Sequence, residues 1–241
     1  MADLIEISDA EYEQRRHARD LVTWVNAKFG DLEAGGRLEL QYFERKGRNV
    51  KRLIEEAVPL SRLGVSFWRP GDEAYVALLP ENSSYDGQVE VEGFSARSFK
   101  VEITTIETEQ SWLRRQTLSR EGTVTLTGRI RRMPDGTIEH GTEMIDVSEQ
   151  QEFVVNLTLD RLHAKTERGS YDDNTAILVY VNDFWPVPAE GRLALHRQTE
   201  QYLRRRPNIF AVCYCYSPDL TVDWIEAGRR RLGTRGDPSS T

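Results

Sequence analysis

The chain has 241 residues, 39% hydrophobic and 29% charged, with a formal net charge of −7. That length supports one large domain with a substantial core, and the composition excludes collagen-like, coiled-coil and disordered chains. The acidic balance argues against a protein that coats nucleic acid, but not against chemistry on phosphates where a cation brings the positive charge. No apolar run reaches the ~18 residues of a membrane span. The first residues, MADLIEISDAEYEQ, lack the basic-then-apolar pattern of a secretory leader. The expected compartment is therefore a bacterial-type cytoplasm, with no membrane partner.

Ser8 and Glu11 form a capping-box pattern, and Leu21, Val22, Val25 and Phe29 recur at helical spacing, which predicts one helix over 9–29 stopped by Gly30. A short strand is expected at 37–43. Asn49 starts a second helix with Val50, Leu53, Ile54, Ala57 and Val58 on its apolar stripe and Pro59 at its end. Residues 65–69 and 73–79 then read as a hairpin about the Pro70-Gly71-Asp72 turn. A loop over 80–87 leads to an alternating strand at 88–92 and a β-branched strand at 99–106.

A helix is expected over 107–119. Strands at 123–132 and 137–140 flank Asp135-Gly136, a favoured turn pair, and make a hairpin insertion over about 120–146. Helical spacing returns over 148–168. Residues 175–181, TAILVYV, read as a strand covered on both faces. A helix over 190–205 and a buried strand at 209–216 follow, and 229–241 reads as a loose tail. This order predicts an α/β fold with a mixed central sheet of four or five strands and helices on both faces. The organisation expected is an N-terminal helical extension over 1–47, a main domain over 48–228 and the tail.

Asp86 and Glu102 carry the chemical interest. If their strands pair, two carboxylates sixteen residues apart converge at a fork of the sheet. Paired hard oxygen ligands suit Mg²⁺, or Mn²⁺, which takes one or two carboxylates with waters and a substrate phosphate. Acids at strand starts are also ordinary solvent-facing residues, and spacing alone does not separate the two cases.

Asp86-Gly87, the strand after it and Val101-Glu102-Ile103-Thr104 resemble the PD-(D/E)XK, or restriction-endonuclease-like, superfamily. They are similar to bacterial members whose second motif reads Glu-x-Thr. The stretch Leu159-Asp-Arg-Leu-His-Ala-Lys165, Tyr171 and 175–181 resemble that group's helix and fourth strand. The resemblance spans about residues 48–216. It implies a three-layer αβα fold with a β-hairpin insertion and a metal-dependent nuclease. Asp86 and Glu102 would be metal ligands, with the Ile103 carbonyl as a third. The motif's lysine, which orients or activates the attacking water, falls at Thr104 here, and Tyr85 stands where proline precedes the first acid. Lys165 and Lys100 are the two candidates to replace that lysine, with Lys100 the better candidate for a plain surface residue. Nucleic acid is the implied substrate. A catalytically degenerate binding or regulatory module on the same fold is the alternative, and a homodimer is compatible with either.

Other residues have plainer readings. Glu56 is read as a surface acid that an inward turn would add to the site. His163 is read as a capped or solvated histidine rather than a phosphate contact, and Glu107 and Glu109 either as acids supporting the site or as helix N-terminal acids that favour the dipole. Arg114, Arg115, Arg129, Arg131 and Arg132 with Trp112 form either a nucleic-acid contact or arginine stems over apolar surface. Cys213 and Cys215 read as small buried hydrophobes.

Overall fold

A computed structural model of the chain describes residues 7–35, 48–124, 128–144, 146–168, 171–183, 186–206, 208–217 and 219–226. The strand expected at 37–43 and the tail at 229–241 lie outside them. The elements in order are α1 (Asp9–Glu13), β1 (Arg16–His17), α2 (Ala18–Ala34), α3 (Arg48–Arg52), a π-helical turn (Leu53–Ala57), α4 (Val58–Ser66), β2 (Asp72–Leu78), β3 (Gly87–Gly93) and β4 (Arg97–Ile106). They continue as α5 (Glu109–Glu121), β5 (Gly128–Arg132), β6 (Ile138–Met144), α6 (Val147–Arg168), β7 (Thr175–Val181), α7 (Ala189–Leu203), β8 (Ala211–Tyr216) and β9 (Thr221–Glu226).

The fold is mixed α/β, built on a seven-stranded sheet in the order β1-β2-β3-β4-β7-β8-β9. Strands β2, β3 and β4 form an antiparallel meander, β4, β7 and β8 run parallel, and β9 returns antiparallel. Alternation divides the buried side chains between two cores. Val101, Ile103, Leu178 and Cys213 pack with Leu21, Leu53, Leu60 and Leu63 on one face. Ile106, Val179, Val212 and Tyr214 pack with Val154, Leu162, Leu195 and Leu203 on the other. Both faces of β7 are therefore covered, as its apolar run predicts. Among the described residues no helix is long and apolar enough to cross a membrane.

Four expectations are corrected. The helix expected over 9–29 breaks after Glu13, because Arg16 and His17 pair with Val76 and Tyr75 as an edge strand. Arg15 bonds Glu90 and Glu92 at 2.7 Å each and lies over the Tyr75 ring, holding that turn extended. Pro59 does not end its helix. It sits in the first turn of α4, directly after the π-turn, where a missing N–H is tolerated. The helix runs on through Ser66, so residues 65–69 are not a strand and no hairpin forms over 64–79. The sheet has seven strands where four or five were expected, because β1 and β9 add an edge each.

The hairpin expected at about 120–146 forms as β5 and β6, a separate two-stranded sheet against α5. Gln110 holds its edge, donating to Ile130 O at 2.5 Å and accepting from Ile130 N at 3.0 Å. The segment read as an N-terminal extension shares the first core through Tyr12, Ala18, Leu21 and Val25.

Candidate active site

Strand β3 starts at Gly87, paired with Val101, while β4 runs on to Ile106. Beyond Val101 the β3-facing edge of β4 has lost its strand neighbour, and Asp86 fills that gap. Its backbone N–H donates to Val101 O at 3.0 Å, and its Oδ2 accepts from Ile103 N at 2.6 Å. Gly87 lets the strand enter close to α4, since a Cβ there would lie 2.8 Å from Leu60 Cδ2 and 3.3 Å from Ala77 O. The N–H and C=O of a strand residue leave on the same edge, so the Ile103 carbonyl also faces the fork.

Glu102 and Thr104 share the α6-facing side of β4 with Ile106. Helix α6 buries Leu162 and Thr166 and brings Lys165 down beside the strand. Lys165 Nζ lies 2.5 Å from Glu102 Oε1, and the Glu102 side chain is only 12% exposed. Thr104 is on the same face but makes no hydrogen bond to Asp86, Glu102 or Lys165 among the described residues. Tyr171 donates from its hydroxyl to Lys165 O at 3.2 Å. Burial, with the charges of Glu102 and Asp86, pushes that phenol up to about 12.

Lys100 is committed elsewhere. It pairs with Asp172 at 2.8 Å and lies over the Tyr85 ring. Its ammonium and the Thr175 hydroxyl hold Asp172 down to about 2. Of the two lysines near the motif, Lys165 alone joins the acids.

Glu56 approaches Asp86 from the α4 side of the sheet. It comes from the π-turn, and its carboxylate accepts from Arg52 Nε at 3.2 Å. A cavity of about 330 Å³ opens here, lined by Arg52, Glu56, Leu79, Tyr85 and Asp86 among others. The surface position expected for Glu56 is corrected, because the π-turn shifts its register inward. Arg52 was not singled out in the sequence. Its i, i+4 relation to Glu56, with Pro59 just beyond, is the signal that was there.

All three acids hold their protons more tightly than ordinary carboxyls. Burial raises Asp86, against the Ile103 N–H and the Lys165 charge. Burial also raises Glu102, with Asp86 adding to it and Lys165 opposing. Burial and the Asp86 charge push Glu56 up to about 7, against the pull of Arg52. Burial is the leading cause for all three, and Asp86 adds to it for Glu102 and Glu56. Even so, no group of three or more His, Cys, Asp or Glu among the described residues is arranged to hold a metal ion.

The remaining candidates lie apart from the fork. His163 stacks on Tyr202 with ring centroids 4.6 Å apart. Glu107 pairs with Arg115, and Arg114 is buried and donates to Gly128 O at 2.6 Å. Arg132 lies over Trp112, and Arg129 and Arg131 are exposed on the separate hairpin. Cys213 and Cys215 are fully buried in β8.

No protein-family model, curated protein or solved structure matches the chain.

Proposed function

We propose that this chain is a metal-dependent phosphodiesterase of the PD-(D/E)XK, restriction-endonuclease-like type that cuts a nucleic-acid backbone. The observation that carries this reading is the meeting of Lys165 and Glu102 at 2.5 Å beside the Asp86 carboxylate. It is supported by the helix that precedes the β2-β3-β4 meander and by the parallel step from β4 to β7. In this reading Lys165, arriving from α6, supplies the positive charge that Thr104 lacks.

The donor set fits a hard divalent cation. Every donor is oxygen, and a cation would stabilise the ionised form of carboxyls whose burial holds their pKa up. Magnesium needs only one or two carboxylates beside water and phosphate, so a closed cluster of three is not required. Asp86, Glu102 and the Ile103 carbonyl would hold Mg²⁺ or Mn²⁺. When bound, the cation lowers the pKa of water and neutralises phosphoryl oxygens. The protein's own groups orient: Ile103 N–H fixes the Asp86 carboxylate, and Lys165 donates to Glu102 and to an oxygen of the substrate. A cytoplasmic location and nucleic acid as the partner belong to the same proposal.

The test is hydrolysis of DNA and RNA oligonucleotides with Mg²⁺ or Mn²⁺. The wild type is expected to cut. Asp86→Asn, Glu102→Gln and Lys165→Met should each lose about 10²-fold or more, the scale of removing one transition-state contact. Equal activity in all four proteins refutes the reading.

A second reading, a binding or regulatory module without catalysis, rests on the same ion pair. Lys165 already occupies the carboxylate that a cation would use. Calorimetry separates the two: heat on titrating Mn²⁺ that disappears in Glu102→Gln favours the enzyme, and no metal affinity with oligonucleotide present favours the module.

A further inference from the structure

Hydrolysis of a phosphodiester by water releases a proton that some group must accept. Lys165 is a donor to Glu102, and an ammonium offers three donors and no acceptor. Glu102 is engaged by Lys165, and one Asp86 oxygen is engaged by Ile103 N–H. Those groups act from the fork and from the α6 side of the sheet.

From the opposite side, the π-turn brings Glu56 into the 330 Å³ cavity that it shares with Asp86. A π-turn holds one residue more than an α-turn, and such turns recur at functional positions. Arg52, 3% exposed, fixes the carboxylate. It bonds Glu56 Oε2 at 3.2 Å, the Leu79 carbonyl at 2.5 Å and Asp9 at 3.3 Å, with its guanidinium over the Tyr12 ring. Arg52 is the hydrogen-bond partner of Glu56 among the described residues, and it uses one carboxylate oxygen. Glu56 makes no hydrogen bond to Asp86 among the described residues, and both line the cavity.

We propose that Glu56 is the general base of the reaction, taking the proton of the attacking water, and that Arg52 is the positioning residue that aims it. This inference rests on the phosphodiesterase reading above. The water oxygen forms the new P–O bond as its proton passes to the Glu56 carboxylate. The P–O bond to the leaving sugar oxygen breaks with its electron pair, and that oxygen takes a proton from solvent. Glu56 then returns its proton to solvent. The groups facing Glu56 are Arg52 and Glu55 on its own helix, Asp86 before β3 and Tyr12 of α1, with Lys51, Glu81 and Tyr85 on the cavity wall. A carboxyl raised to about 7 suits a base working near neutrality.

The experiment is the pH–rate profile of oligonucleotide hydrolysis by the wild type, Glu56→Gln, Arg52→Lys and Glu102→Gln. It is paired with infrared difference spectra of wild type against Glu56→Gln. Glu56→Gln is expected to lower kcat about 10²-fold or more with KM within threefold, and to abolish the ascending limb. Arg52→Lys should keep activity with the limb displaced. The infrared difference should show a protonated-carboxyl band that titrates near neutrality without substrate. The inference is overturned if Glu56→Gln keeps the wild-type kcat and limb while Glu102→Gln is inactive; the phosphodiesterase reading then stands. A wild type that cuts nothing with either metal overturns both. Glutamine can still accept the Arg52 bond, so Glu56→Gln should fold, and its melting temperature checks that it does.

Discussion

The side chain of Asp86 continues the ladder that strand β3 abandons, its Oδ2 accepting the Ile103 N–H at 2.6 Å. One carboxylate thus completes the sheet and lies between the Glu102–Lys165 pair on the α6 side and the Glu56 cavity on the α4 side.

That dual role makes Asp86 separable by substitution. Asp86→Ala leaves the Ile103 N–H without its acceptor and should cost about 1–3 kcal/mol. Asp86→Asn keeps an acceptor and should cost less, while both variants lose hydrolysis. Urea unfolding at pH 7, read from the midpoint at unchanged slope, measures the difference.

Lys165 and Lys100 should behave differently although both are paired. Lys165→Met strips Glu102 of its counter-charge, so hydrolysis falls and the destabilisation grows with pH as the unpaired carboxylate ionises. A double-mutant cycle with Glu102→Gln should return a coupling of about 1 kcal/mol. Lys100→Ala touches only Asp172 and Tyr85 at the surface and should keep the wild-type rate within about twofold.

Glu56 sets a pH dependence of stability whose sign follows from linkage. Its folded pKa of about 7 lies above the ordinary value of 4.5, so the folded state binds the proton more tightly. The contribution is fully present below pH 4.5 and is lost as pH rises towards 7. Asp86 and Glu102, also raised, act in the same direction. Glu56→Gln should therefore be more stable than wild type at pH 8, by on the order of 3 kcal/mol at most, and the gain should vanish near pH 4.5. Denaturant midpoints at the two pH values decide it.

Gly87→Ala tests how tightly the fork is built. The added methyl would meet Leu60 Cδ2 at 2.8 Å, so the buried Leu60 side chain must reorient in its packed core or the strand must shift. A loss of about 1–3 kcal/mol is expected from overpacking, together with a fall in hydrolysis as Asp86 moves with its neighbour. Thermal melts and initial rates on one preparation check both.

Much of this was legible because it is local. Alternation over Val101, Glu102, Ile103 and Thr104 defined a strand and assigned its two faces. The apolar run at Thr175–Val181 marked a strand covered on both sides, and helical spacing located the helix over Val147–Arg168 to within a residue. The helix through Pro59 was misread because a proline usually ends a helix, and here it falls in the first turn after a π-turn. The two-residue strand at Arg16–His17 and the edge strand Thr221–Glu226 carried too little periodicity to stand out.

By itself the sequence determined the strands, the long helices and the two acids at the start and middle of neighbouring strands, since each follows from nearest-neighbour preferences and burial period. Only the tertiary structure decided that Lys165 and not Lys100 meets Glu102, that Asp86 bonds Ile103, and that Glu56 turns inward under Arg52. Those contacts join residues far apart in the chain. Their partners depend on which helix covers which face of the sheet and where β3 stops, and no local pattern encodes either.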